Sequence, residues 1–573
     1  AGGVGGIVYE NGGYLYHLDP ATRQVRRIEV TIPGDRPHMM PQWKDVRRNI
    51  EMASISPSAK RVLFTVRGEL FTVPAQHGNT RNVSGTPAVR EREARWSPDG
   101  RWIAYLSDET GSYALYVRRA DGSGAARQLV PGDDGWISRL VWSPDSRWIA
   151  FADNTQRLRA VELEGGRTVT VVSTTTGPLN VFSWSPDSRW IAYVKRSPNT
   201  IDAIWLYSLG DGTRTQVTAD DADHASPAFD PGGRWLYFVA ARDYDRGIRG
   251  FRARIYAATL RADAPHPFPP RSDEEPAASP AGAPSSSSSS DGQAKGGKEV
   301  TPLRIDVAGL GARAVALPGI QPGSYRGLVG VEDGVVFLAG SNLQRYSVET
   351  REAKTVLERI SGFDVTPDRK KVLYRAGEHW GIVELRPGQR TDAGRLDLSG
   401  LRLYVDPKVE WAQIYHDAWL IMRDWFYDPG LHGVDWDAMR ERYRPLVEHV
   451  AHRTDLDFVI AELLGEMNVG HAYVNPAPEP PRPERVEVGV LGAELVADGE
   501  RYRIAEIYPG ENWHEEFRSP LTEPGVGVKA GDYLVAIDGT PVTTRDNPYR
   551  FLVNKADRIV RLTVSARPDG SEP

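Results

Sequence analysis

The sequence predicts a multidomain chain: an all-β propeller of about seven blades, then a small helical subdomain, then a small β-rich module. Three observations carry this reading. A ten-residue unit beginning Trp96-Ser97-Pro98-Asp99-Gly100 recurs through the first 400 or so residues. The apolar period changes abruptly after Pro407, from two to between three and four. After residue 485, short alternating strands and turn residues return. A chain of 573 residues is expected to hold three or four domains.

The repeats come first. Trp96-Ser97-Pro98-Asp99-Gly100-Arg101-Trp102-Ile103-Ala104-Tyr105 returns as Trp142-Ser143-Pro144-Asp145-Ser146-Arg147-Trp148-Ile149-Ala150-Phe151 and again from Trp184 to Tyr193. Weaker copies begin at Ser56, Phe229 and Thr366. Their spacing of about 40–45 residues is that of a four-stranded blade. Pro-Asp-Gly or Pro-Asp-Ser supplies a type I turn, and the Trp-Ile-Ala-Tyr run that follows is rich in β-formers. The propeller is placed at 1–404. The N-terminal pair Gly6-Ile7-Val8-Tyr9 and Tyr14-Leu15-Tyr16-His17-Leu18 is expected to complete the short last unit, 361–385, and so close the ring. Residues 263–298, with Pro265 to Pro270 and the serines Ser285 to Ser290, read as a disordered insertion in one blade. Exported TolB-type proteins carry similar units, so the repeats establish an architecture and leave function to the loops and channel.

Composition removes several function classes. Lys plus Arg (70) nearly balances Asp plus Glu (76), for a net charge of −6, so the basic field that holds nucleic acid is missing. With no Cys, disulfides, thiolate metal sites and a Cys nucleophile are excluded. No apolar run approaches the roughly 20 residues of a membrane helix. The Gly-rich N-terminus has neither the basic nor the apolar region of a signal peptide and no initiating Met, so the sequence is expected to be part of a longer chain.

Residues 405–480 form the helical subdomain. Trp411, Ile414, Ala418, Ile421, Met422 and Trp425 give one apolar stripe, and Asp428-Pro429-Gly430 ends that helix. Asp435 is the expected N-cap of a second helix, bent or split at Pro445. Thr454-Asp455-Leu456-Asp457 predicts a capping box for a third. A short β-run, Val469-Gly470-His471-Ala472-Tyr473-Val474, is expected next, with His471 and Tyr473 on one face. An imidazole at such an element end suits a general base, its unperturbed pKa of about 6.5 letting it take and return a proton. His416, His432, His449 and His452 lack a third partner at metal-ligand spacing, so neither metal nor cofactor is expected.

In the last module, residues 485–573, Gly531-Asp532-Tyr533-Leu534 and Ile537-Asp538-Gly539 place a tight hairpin between apolar strands. This pattern resembles a PDZ domain. The resemblance implies a peptide held as an added strand, its terminal carboxylate received by the loop Gly489, Val490, Leu491 and Gly492. The same glycines also read as plain turn residues.

A second resemblance spans nearly the whole chain. Arg423-Asp424-Trp425-Phe426-Tyr427-Asp428-Pro429, His432-Gly433-Val434-Asp435-Trp436 and Asn468-Val469-Gly470-His471-Ala472-Tyr473 are similar to the first core subdomain of the tricorn proteases. Arg67-Gly68-Glu69-Leu70-Phe71-Thr72-Val73-Pro74 and the repeats behind it resemble that family's second, seven-bladed propeller. The resemblance implies a cytoplasmic, homo-oligomeric serine peptidase acting on short peptides, with His471 as general base. A serine preceding that histidine in some members is Gly470 here. The nucleophile and the tetrad acid would follow the PDZ domain, outside this chain. Consistently, no Gly-x-Ser-x-Gly elbow occurs in it, and the chain alone is expected to be inactive. The alternative is a propeller–PDZ protein that binds peptides without cutting them.

Overall fold

The computed structural model describes residues 2–3, 6–132, 135–244, 251–271, 302–475 and 486–571. Two compact units divide it, Ala1–Asn475 and Pro476–Pro573. From Ile50 to Glu384 the chain builds seven successive antiparallel sheets, six of four strands and a last one of three. In each, strands follow one another in chain order, the meander of a propeller blade.

The repeated turn residues do identical work in successive blades. Ser97 Oγ donates to Asp99 Oδ1 at 2.5 Å and accepts from the N–H of Trp102 at 2.9 Å. Ser143, Asp145 and Trp148 repeat this arrangement, as do Ser185, Asp187 and Trp190. The serine after the aspartate, Ser146 or Ser188, sits at φ 62 where the first copy has glycine. Its hydroxyl accepts from the backbone N–H of Asp99 or Asp145 in the preceding blade, at 3.0 and 3.1 Å. A left-handed serine is thus held by a bond between blades, which offsets its strain. The tryptophans also bridge blades: Trp142 Nε1 donates to the Arg95 carbonyl, and Trp184 Nε1 to that of Val141.

Ring closure differs from the sequence expectation. Gly6–Asn11 and Tyr14–Leu18 do not complete the last blade; with Gly2–Gly3 and Val25–Arg27 they form a sheet of their own. Its hairpin turn lies against the helical subdomain, where a Cβ on Gly13 would come within 2.4 Å of Leu446. The last blade meets the first directly. Ile55 N–H donates to Asp364 Oδ2 at 2.9 Å, and the Phe64 and Trp380 rings meet edge to face at 5.3 Å. Leu373, Leu396, Leu398 and Leu401 share one apolar cluster with Val62 and Phe64. The segments entering and leaving the ring pair with each other instead, Gln42–Asp45 against Arg402–Val405.

Most of the insertion expected at 263–298 lies outside the described residues. Its first part is packed rather than loose. Phe268 is buried beside Tyr346, and Arg271 Nη2 donates to the Glu349 carbonyl at 2.8 Å. The fourth strand of that blade is Ala314–Ala316, after Leu303-Arg304-Ile305.

Three helices follow: α1 (Pro407–Trp425), α2 (Trp436–Val447) and α3 (Arg453–Gly465). On α1 the buried residues are Trp411, Tyr415, Trp419 and Leu420, with Asp417 among them, whereas Ile421 and Trp425 are exposed. The stripe therefore runs at four-residue steps from Trp411, rotated from the one expected. Trp419 Nε1 donates to the Trp436 carbonyl and Trp436 Nε1 to that of Trp419, both at 3.1 Å, which satisfies two buried indoles and locks α1 to α2. Asp435 caps α2 as expected, accepting from Ala438 N–H at 3.0 Å. That helix runs through Pro445 to Val447. The capping box of α3 begins two residues earlier than expected, at His452, with Asp455 as its reciprocal partner. The helices share one core with the second and third blades, including Tyr113, Leu115, Trp136 and Ile149. Among the described residues no helix is long and apolar enough to cross a membrane.

The second unit is a five-stranded sheet. Ala493–Asp498, Arg501–Ile507, Tyr533–Ile537 and Thr540–Pro541 lie in order, and Leu562–Ser565 pairs with Tyr533–Ile537. Ile504, Leu534, Ile537, Val542 and Leu552 form its core.

Candidate active site

α3 ends at Gly465, and the chain then makes a tight turn anchored by Met467, which is fully buried in the helix–blade core. Asn468 takes a left-handed conformation, φ 53, a position asparagine tolerates better than most residues. Beyond it Val469, Ala472 and Val474 pack against the core while Gly470, His471 and Tyr473 face solvent. The expected β-run is not a strand, because no neighbour pairs with it among the described residues. From His471 to Val474 the alternation nevertheless survives, since Ala472 and Val474 pack inward while His471 and Tyr473 face out. His471 and Tyr473 therefore do share a face. Their rings meet edge to face at 6.2 Å, with the Tyr473 hydroxyl 3.3 Å from His471 Nδ1. No carboxylate contacts the imidazole among the described residues. At Gly470 a Cβ would meet nothing within 4 Å, so the backbone there has room for a serine.

A second histidine, to which sequence reasoning gave no role at the site, holds this turn. His432 Nδ1 lies 3.1 Å from the Met467 carbonyl, and its Nε2 is bonded to the Tyr427 hydroxyl. Since a carbonyl can only accept, Nδ1 carries the proton and Nε2 accepts from Tyr427. Asp428 fixes the loop from beneath, accepting from the N–H groups of Gly430 and His432 at 3.0 and 2.9 Å. These bonds lower its carboxyl pKa, that from His432 N–H foremost. Leu431 and His432 both have positive φ, 49 and 55, local strain that the buried Leu431 and the Asp428 bonds sustain. The only sequence signal was the proximity of Tyr427, Asp428 and His432. Their convergence on Met467 is a tertiary fact.

The helices are tied to the blades by a polar cluster. Asp417 accepts from Tyr113 Oη at 2.6 Å and pairs with Arg90, while Asp108 Oδ2 accepts from Gln413 at 3.0 Å. Burial is the largest influence on Arg90 and opposes its charge, but Asp417, Tyr113 and Glu51 together outweigh it and hold the guanidinium above its ordinary pKa. Burial raises the Asp108 carboxyl.

In the other unit, Gly489 N–H donates to the Leu552 carbonyl at 2.9 Å, and a Cβ on Gly489 would press on the backbone of Lys555 at 3.2 Å. Among the described residues the N–H groups of Val490, Leu491 and Gly492 have no protein acceptor. Leu491 is buried in the core and Val490 is exposed, so the loop is anchored at its third residue and open at its second. Gly492 has φ 69, and a Cβ there would strike Ser519 Oγ at 2.7 Å. Among the described residues no group of three or more His, Asp or Glu is placed to hold a metal ion.

Comparison with known proteins covers nearly all of the chain. The family model for the tricorn protease second beta propeller domain matches residues 50–386, that for the C1 domain residues 407–465, and that for the PDZ domain residues 489–572. Tricorn protease homolog 1 of Streptomyces coelicolor is 30% identical over 98% of this chain and 55% of its own length. The tricorn protease homolog of Saccharolobus solfataricus is 25% identical over 98% of this chain and 51% of its own. A crystal structure of the tricorn protease superposes over 98% of this chain and 54% of that one, with a TM-score of 0.66 at 21% identity, a likeness of fold. The chain spans about half the length of the curated relatives it matches.

Proposed function

The chain belongs to the tricorn protease family, and on that premise we propose that it is the propeller, first core subdomain and PDZ portion of a serine peptidase acting on short peptides. His471 is its general base. The observation that carries this reading is the outward-facing imidazole, set on a turn whose neighbours Met467, Val469 and Ala472 are packed and whose backbone is held by His432. A base must be fixed in direction yet reachable, and this turn provides both. Acyl transfer also needs an activated hydroxyl and N–H donors for the oxyanion. We assign those to residues outside this chain, which on its own is then inactive. Val490, Leu491 and Gly492 supply the free N–H groups for a peptide carboxylate, with Gly489 as the residue that lets the loop approach the Lys555 backbone. We place the whole protein in the cytoplasm as a homo-oligomer, with neither nucleic acid nor membrane as partner.

The test uses the full gene product and short fluorogenic peptides. His471→Ala is expected to lower kcat by about a thousandfold or more with KM little changed, while the 573-residue chain alone shows no turnover. Full activity in His471→Ala overturns the assignment. A gene product that binds peptides and never cleaves them favours the non-catalytic alternative.

A further inference from the structure

Between α1 and α2 lies a cavity of about 560 Å³, within the roughly 300–1,000 Å³ usual for small-ligand sites. From α1 it takes Lys408, Ala412, Tyr415 and His416, spaced on one helical face, and from α2 the matching face of Arg440, Arg444 and Val447 with the C-cap residue Glu448. Three cations thus line it against one acid. Arg444 is already paired with Glu441 at 2.9 Å. Lys408 and Arg440 make no ion pair among the described residues, and the Arg440 guanidinium stands 4.7 Å over the Trp419 ring. Tyr415 Oη donates to the Arg440 carbonyl at 2.8 Å, fixing the backbone from which that guanidinium projects. His416 is neutral at pH 7, because burial first and Arg440 second push its pKa down.

Arg440 and Lys408, which have no ion-pair partner among the described residues, stand beside the apolar surface of Tyr415 and Val447, a pairing that suits an anion with an apolar body. We propose that this cavity binds a carboxylate-bearing small molecule, the carboxylate on the planar fork of Arg440 with Lys408 beside it and the apolar body against Ala412, Tyr415 and Val447. A planar guanidinium matches a carboxylate with two parallel N–H bonds, and one fork plus one ammonium suits a single negative charge better than a phosphate dianion. A free N-acylated amino acid and the C-terminal residue of a peptide present the same group. The site does not depend on the catalytic reading of His471.

Calorimetric titration of the chain with N-acetyl-leucine tests this, with N-acetyl-leucinamide and inorganic phosphate as controls. A single residue is too short to be held as an added strand, so the PDZ module does not supply the signal. The acid is expected to bind with Kd below about 1 mM, the amide at least about tenfold more weakly. Arg440→Gln and Lys408→Gln are each expected to weaken the acid about tenfold or more, and His471→Ala to leave it unchanged. Lys408 is exposed, so that variant keeps the fold if Arg440→Gln does not. No binding up to about 10 mM, equal binding of acid and amide, tighter binding of phosphate, or indifference to both variants overturns the proposal. An acetylated tripeptide ending in Leu, titrated into the parent chain and into Arg440→Gln, then separates the sources: in the part of the binding that Arg440→Gln weakens, a tighter tripeptide identifies a peptide end and a weaker one a free acid, whereas tripeptide binding indifferent to Arg440→Gln belongs to the PDZ module.

Discussion

Tyr113 on the second blade donates its hydroxyl to Asp417 on α1 at 2.6 Å, and both side chains are buried. Arg90, from the loop between the first two blades, pairs with the other oxygen of the same carboxylate. One acid therefore joins two parts of the propeller to the helix that leads into the Tyr427–His432 loop. A buried carboxylate of this kind is stable only while both partners remain, because each would otherwise be left desolvated.

Asp417→Ala is accordingly expected to destabilise unit Ala1–Asn475 by roughly 2–4 kcal/mol, somewhat below the cost for a fully buried pair because the Arg90 guanidinium is partly exposed. Tyr113→Phe removes one neutral donor and leaves the Arg90 pair, for about 1–2 kcal/mol. Urea midpoints at constant slope measure both. Equal costs for the two variants refute the shared-carboxylate account.

Glu91 makes stability depend on pH. It is 2% exposed, one of its oxygens has no partner, and burial pushes its carboxyl up to about 8 against side-chain bonds from Thr86 and Ser84. In the unfolded chain the same group titrates near 4.3. A raised folded pKa means the contribution is complete below about pH 4 and is lost as pH climbs toward 8, where the folded state ionises too. Glu91→Gln has no such dependence. Its stability relative to the parent chain is expected to rise by about 1 kcal/mol per pH unit between pH 5 and 8. A difference between the two that stays flat over that range contradicts the buried, protonated Glu91.

The blades and the neighbourhood of His471 were legible because their signals are local. Ser97, Asp99 and Trp102 interact within six residues, and the His471-to-Val474 alternation is written in Ala472 and Val474, which pack on the core below. Ring closure was not legible. Tyr9, Tyr14 and Tyr16 carry the same strand pattern as a blade, and only the packing of Tyr14 and the Gly12-Gly13 turn on the helical core separates them from one. Ile421 and Trp425 fit the α1 stripe by spacing yet are exposed; hydrophobicity alone cannot tell an exposed tryptophan from Trp419, whose indole bonds the Trp436 carbonyl. The cap at His452 is hidden in the sequence because Thr454, two positions on, is of a commoner capping type.

The His432–Met467 bond predicts where the site loosens. His432→Ala removes the only side chain bonded to the Met467 carbonyl among the described residues, at a local cost of about 1 kcal/mol. Amide hydrogen exchange over residues 467–474 is then expected to quicken by about five- to tenfold, with the blades unchanged. Exchange that quickens throughout the unit instead makes His432 a general stabiliser and removes its positioning role.

Asp364 carries the last test, that of ring closure. The first and last blades meet without a shared strand among the described residues, so their seam depends on the Leu373 cluster, the Phe64–Trp380 contact and the bond from Ile55 N–H to Asp364 Oδ2. Ile55 is 3% exposed, and water does not replace a lost acceptor there. Asp364→Ala leaves that N–H unpaired and is expected to cost about 1–3 kcal/mol, whereas Asp364→Asn keeps a carbonyl oxygen in place and costs less than about 1 kcal/mol. Limited trypsin digestion locates the weakness. With alanine, cleavage is expected at Arg61 or Arg375, which flank the seam, before it appears in the middle blades. Early cleavage in the middle blades would show that the apolar cluster alone holds the ring shut and that Asp364 is incidental to it.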